Sequence, residues 1–128
     1  MFLRVLTLMN CLCFGLYAQC AQIESINDGV YSKAQAKIGA KLYKINCLMC
    51  HDKKYFRPVL ETWSGRTLGM LYETMSTTMP ETNPAGLRQQ NYVDILAYIL
   101  SLSKYPVGES ALEYKSNALD NITIVSKE

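Results

Sequence analysis

Beyond residue 30, apolar positions recur at helical rather than strand spacing. In "YSKAQAKIGAKLYKIN" (31–46) and the next residue, Ala36, Ala40, Tyr43 and Cys47 fall at steps of four, three and four, which predicts a helix. Gly39 interrupts good helix formers there, at a cost of about 1 kcal/mol relative to alanine, so a close approach by another element is expected at that point. "DKKYFRPVLETWSGR" (52–66) has no sustained period and carries Pro58 and Gly65, which predicts loop. Thr67 then caps a helix in "TLGMLYETMSTT", where Leu68, Leu71, Tyr72 and Met75 follow i, i+3, i+4, i+7. "MPETNPAGL" (79–87) holds two prolines and a glycine and predicts a rigid irregular turn. In "RQQNYVDILAYILSL" (88–102), Tyr92, Val93, Leu96, Ala97, Ile99 and Leu100 cover so much of the circumference that the helix must be mostly buried. From Lys104 the chain is mixed, with Pro106 and Gly108 early and Leu112, Leu119, Ile122 and Ile124 available to tack it down. No run of alternating β-branched residues is long enough for a strand, so the expected class is all-α.

The N-terminal stretch changes the picture of where the protein works. Arg4 precedes a mostly apolar run from Val5 to Ala18, followed by small or polar residues. The run is shorter than the ~20 residues a spanning helix needs and reads as a secretory signal, cleaved after Ala18 or Cys20. An uncleaved anchor is the rival reading, opposed by Asn10 within the run and by the lack of a basic flank after it. A lipoprotein signal would modify Cys20, but Gln19 stands where a small residue is wanted. Export implies a periplasmic protein, with membrane contact only if the segment is retained. The rest of the 128 residues, 49% apolar and 19% charged overall, suffices for one compact domain.

Cleavage also changes the cysteine arithmetic. Cys11, Cys13 and Cys20 leave with residues 1–20, and only Cys47 and Cys50 remain, in a compartment where idle thiols are unusual. Charge excludes less: with Arg4 removed, 12 basic side chains face 11 acidic ones, which gives no footprint for nucleic acid. Lys33, Lys37, Lys41 and Lys44 do line one helical face, with Lys53, Lys54 and Arg57 just beyond. That face is either simply solvated or a dock for an acidic partner.

The two remaining cysteines lie in "CLMCH" (47–51), next to the only histidine of the chain. Two thiols three positions apart can each add to a vinyl group of one haem while the adjacent imidazole meets the iron, which is why C-x-x-C-H reads as a c-type haem attachment site. The alternatives fit less well. Zinc wants four nitrogen or sulfur ligands, and Cys47, Cys50 and His51 are three. A thioredoxin-like dithiol wants a βαβ setting, and a structural disulfide would be strained and leave His51 without a role. One covalently bound haem c is therefore expected, with Cys47 and Cys50 as thioether anchors and His51 as proximal iron ligand. The macrocycle would also enlarge the modest core of so small a domain.

Iron held by one histidine stays open or takes a second side chain. Of six methionines, Met1 and Met9 lie in the signal and Met49 inside the motif, while Met70 and Met75 sit in the short helix as gap-filling residues. Met79 lies outside that stripe, in irregular chain immediately before Pro80, whose ring stiffens the loop. It is the expected distal ligand, with Met75 the runner-up.

These residues resemble the class I c-type cytochromes. Gly39 and Tyr43 ahead of "CLMCH", "PVL" at 58–60, "TMPETNPAGL", "YVDILAYIL" and the tail "YPVGESAL…ALDNITI" are similar to bacterial cytochromes c, notably those associated with quinoprotein alcohol dehydrogenases. The resemblance implies a small fold of three to five helices around one haem, with Gly39 and Tyr43 packed near Ala97 and Tyr98 of the last helix. It implies that the Pro58 carbonyl accepts a hydrogen bond from the His51 imidazole, and that Trp63 and Arg66 lie near a haem propionate. The expected organisation is a signal (1–20), an N-terminal extension (21–30), a cytochrome c domain (31–104) and a tail packed on it (105–128). The expected function is electron carriage rather than enzymatic catalysis: single electrons pass from a periplasmic dehydrogenase to an oxidase or other cytochrome. The rivals are a permanently bound subunit of a quinoprotein dehydrogenase, or a haem sensor or peroxidase with a displaceable sixth ligand.

Overall fold

A computed structural model describes residues 22–115 and 117–127. The expected export segment, with Cys11, Cys13 and Cys20, lies outside the described residues. The architecture is all-α: α1 (Lys33–Asn46), α2 (Phe56–Thr62), α3 (Leu68–Thr78) and α4 (Gln89–Leu102), with short 3₁₀ turns at Ile26–Asp28 and Leu119–Asn121. Among the described residues there is no strand beyond isolated bridges, and no helix is long and apolar enough to cross a membrane.

α1 starts where Ser32 Oγ accepts from the Gln35 N–H at 3.2 Å, satisfying one of the helix's free donors. It buries Gln35, Ala36, Gly39 and Tyr43, a stripe that lies against α4. The crossing is tight at Gly39: a Cβ there would stand 1.8 Å from the carbonyl oxygen of Asp94 and 3.0 Å from Cβ of Tyr98. The glycine expected to mark a close approach does mark one, and the Tyr43 and Tyr98 rings meet edge-on just beyond it, with centroids 5.3 Å apart. α4 is the centre of the core, with Val93, Leu96, Ile99 and Leu100 essentially inaccessible.

α3 begins as its capping residue predicts, Thr67 Oγ1 accepting from the Met70 N–H at 3.2 Å, and it buries Leu68, Leu71 and Tyr72. The loop expected over 52–66 is in part a helix, α2. Pro58 is compatible with it because it occupies the first turn, where N–H groups have no partner within the helix and a fixed φ suits the backbone. Seven residues with Leu60 as the buried member are too few to display a period.

The segment after α4 is woven through the domain. Thr123 donates to Glu24 and its carbonyl accepts from Ile26, while Ile122 and Ile124 pair on the other side with Leu68 and Arg66. Tyr31 Oη donates to the Tyr105 carbonyl and Tyr105 Oη to that of Val125. Gln35 clamps the chain at Leu112, donating to its carbonyl and to Asp94 Oδ1 and accepting from its N–H at 2.7 Å; Gln90 repeats the grip beside it. Leu112, Leu119, Ile122 and Ile124 are all buried. At ~2 kcal/mol each, their burial contributes on the order of 8 kcal/mol before ordering entropy, comparable with the net stability of a small domain.

Candidate functional site

The sequence "CLMCH" folds into a turn at the end of α1. Cys47 is the residue on which the helix ends, its N–H donating to the Tyr43 carbonyl at 2.9 Å. The Cys47 carbonyl in turn accepts from both Cys50 (3.1 Å) and His51 (2.8 Å), which folds the five residues back on themselves. From one helical turn earlier, Tyr43 Oη donates to the carbonyls of His51 (2.8 Å) and Asp52 (3.1 Å), so buried α1 fixes the backbone that carries the imidazole. Asp52 Oδ1 accepts from the N–H groups of Lys54 and Tyr55 and turns the chain towards α2. That turn brings Tyr55 and Phe56 against the His51 ring, at centroid distances of 4.2 and 5.5 Å.

Burial sets the electrostatics. It pushes the Cys47 thiol up to about 11, with the neighbouring Cys50 a smaller cause in the same direction. Tyr43 rises to about 12, again by burial first and then by Cys47, Tyr98 and Asp52. Tyr43 therefore stays a neutral donor to the motif across the neutral pH range. A thiol raised in this way is largely protonated at neutral pH, whereas a dithiol oxidoreductase requires a lowered one. Both cysteines are free, and no cluster of three or more His, Cys, Asp or Glu residues suited to a metal ion occurs among the described residues.

Met79 lies half-buried where α3 ends, its N–H still bonded to the Met75 carbonyl at 2.9 Å and its own carbonyl accepting from Tyr92 Oη at 2.7 Å. Met75 is half-buried against the core and Met70 is exposed. Trp63 and Arg66 come together after α2, the guanidinium carbon 4.9 Å from the indole centroid, with Arg66 exposed and Trp63 half-buried. The hydrogen bond expected between His51 and the Pro58 carbonyl is not made. Pro58 sits inside α2, which directs its carbonyl along the helix axis to Thr62 Oγ1 at 3.0 Å, and His51 Nδ1 is buried without a partner.

The set suits a haem. It offers two thiols and an imidazole within one turn, a thioether on a separate element, and apolar side chains at Phe56, Trp63, Met75 and Leu87 that the core covers only in part. Two surface hollows among the described residues lie elsewhere, one lined by Gln35 and Asp94 and the other between α3 and Tyr114, Lys115, Asn117 and Asp120; neither includes the motif. Periodicity assigned Tyr92 to the apolar stripe of α4 and left Gln35 and Asp94 without roles. The available signal was Asp94, a carboxylate inside an otherwise apolar helix, which burial obliges to find donors.

Residues 34–99 match the family model described as cytochrome c oxidase, cbb3-type, subunit III, a c-type cytochrome domain. No curated protein and no solved structure gives a significant match. The family match covers just over half of the 128 residues, from the second residue of α1 into the last turn of α4, on the all-α frame such a domain requires. The chain therefore belongs to this family of c-type cytochrome domains and is an electron-transfer haem protein.

Proposed function

We propose that the protein is an exported monohaem cytochrome c of the periplasm that shuttles single electrons from a periplasmic dehydrogenase to a respiratory acceptor. In this reading Cys47 and Cys50 form the thioethers, and His51 and Met79 ligate the iron on opposite faces. Haem c, when bound, supplies the one-electron chemistry. The observation that carries the reading is the turn at 47–51, in which Tyr43 and the Cys47 carbonyl hold His51 against Tyr55 and Phe56. Those contacts let the chain keep the imidazole oriented without moving, and a methionine partner favours the reduced state and raises the potential.

The surface beside the turn supports docking to an acidic partner. Met49 is 98% and Ile45 79% exposed, and Lys41, Lys44, Lys53 and Lys54 are exposed near them in sequence. Exposed apolar side chains with lysines close in sequence suit brief, salt-sensitive encounters. A free carrier is favoured over a permanent subunit because Tyr105, Leu112, Leu119, Ile122 and Ile124 of the tail are buried in its own core.

Purified protein is expected to be red and to retain its haem through acid–acetone extraction. The oxidised form should show the band at the red end of the visible spectrum that marks methionine on ferric iron. The double variant Cys47→Ala, Cys50→Ala should lose the haem, and Met79→Ala should lose the band alone. A colourless wild type sinks the haem reading, and a Met79→Ala protein that keeps the band sinks the distal assignment.

A further inference from the structure

The segment between α3 and α4 is closed by a single hydroxyl. Tyr92 Oη donates to the Met79 carbonyl at 2.7 Å and accepts from the Leu87 N–H at 3.3 Å, so it joins the two ends of a nine-residue loop. The loop's other main-chain bonds are internal, Asn83 to Pro80 and Gly86 to Asn83, apart from the Met79 N–H that continues α3. Among the described residues, Tyr92 is therefore the hydrogen-bonded tie between residues 79–87 and the body of α4. The ring is 2% exposed and stands edge-on to Tyr72, with centroids 6.4 Å apart. Phenylalanine would fill the same space, so it is the hydroxyl whose role packing does not explain.

We propose that Tyr92 is a positioning residue for Met79. Fixing the Met79 carbonyl removes main-chain freedom at that residue and leaves its side-chain torsions as the remaining variables in how the thioether is presented. Fixing Leu87 at the same point prevents the loop from swinging open from its other end. This rests on the reading of Met79 as the distal iron ligand. With each bond at the weaker end of what a neutral hydrogen bond contributes net, losing the pair raises the share of molecules with the thioether detached by roughly tenfold.

The test is competition by imidazole in the oxidised holoprotein, followed through the red-end methionine band. Tyr92→Phe should retain the band while its apparent Kd for imidazole falls roughly tenfold, because detachment precedes capture. A purely structural role would lower resistance to denaturant without moving that Kd. An unchanged Kd in Tyr92→Phe, with the band absent from Met79→Ala, overturns the inference and leaves the ligand assignment standing. A band retained in Met79→Ala overturns the assignment itself. Should Tyr92→Phe fail to fold, amide exchange in the wild type decides: Leu87 should exchange slowly, and rapid exchange refutes the tie.

Discussion

Gly39→Ala sets two effects of opposite sign against each other. Alanine favours the helix by about 1 kcal/mol over glycine, and on an exposed face the change would stabilise α1. Here the added Cβ would lie 1.8 Å from a main-chain oxygen and 2.6 Å from the carbon of the same carbonyl at Asp94, groups inside a buried helix that cannot rotate aside. Restoring ordinary contact at about 3.4 Å requires α1 and α4 to separate by about 1.5 Å, which unpacks Tyr43 from Tyr98 and loosens the stripe between them. Overpacking of this kind costs about 1–3 kcal/mol when side chains can yield and more against backbone, so the clash outweighs propensity and a net loss of ~3 kcal/mol is expected. The damage should also reach the turn at 47–51, because Tyr43 holds the His51 and Asp52 carbonyls. Guanidinium unfolding of the holoprotein by circular dichroism gives the stability, and the methionine band gives the ligation. A variant as stable as wild type, or about 1 kcal/mol more stable, would refute the close crossing.

Three further outcomes follow from contacts already described. Gln35→Leu should cost about 1–3 kcal/mol in denaturant unfolding: Gln90 still donates to Asp94 and to the Leu112 carbonyl, so the Leu112 N–H is the main group left without a partner. Asp28 is held below the usual carboxylate range by the Glu24 N–H first and then by Ser25. Its contribution is therefore present above about pH 4 and is lost as pH falls through the lowered value; Asp28→Asn should flatten the acid limb of a stability–pH profile, and an unchanged limb would contradict the cap. Lys44→Glu with Lys54→Glu should slow reduction by ferrocyanide roughly tenfold at low ionic strength and little at 0.5 M salt; equal slowing at both would exclude electrostatic steering.

Much of the molecule was legible in the sequence because its long helices each bury one face. α1, α3 and α4 announce themselves by period, and Gly39 by its place among helix formers. α2 was not legible because it is under two turns long. The Gln35 clamp joins residues 59 and 77 positions apart, and such pairing leaves no local trace. The absent bond between His51 and Pro58 has the same origin, since the direction of a carbonyl depends on whether its residue is helical, and the sequence of 52–66 did not reveal that.

The tail beyond α4 makes the fold depend on contacts that no single stretch of the chain can make alone. The ladder at Ile122–Ile124 completes a core whose other walls come from residues 24–26 and 66–68, so the stretch that carries the turn at 47–51 lies between two strips that the tail joins. One later segment therefore holds both edges of that stretch, and a defect at Ile122–Ile124 would be felt at residues 24–26 and 66–68 alike rather than in the tail alone.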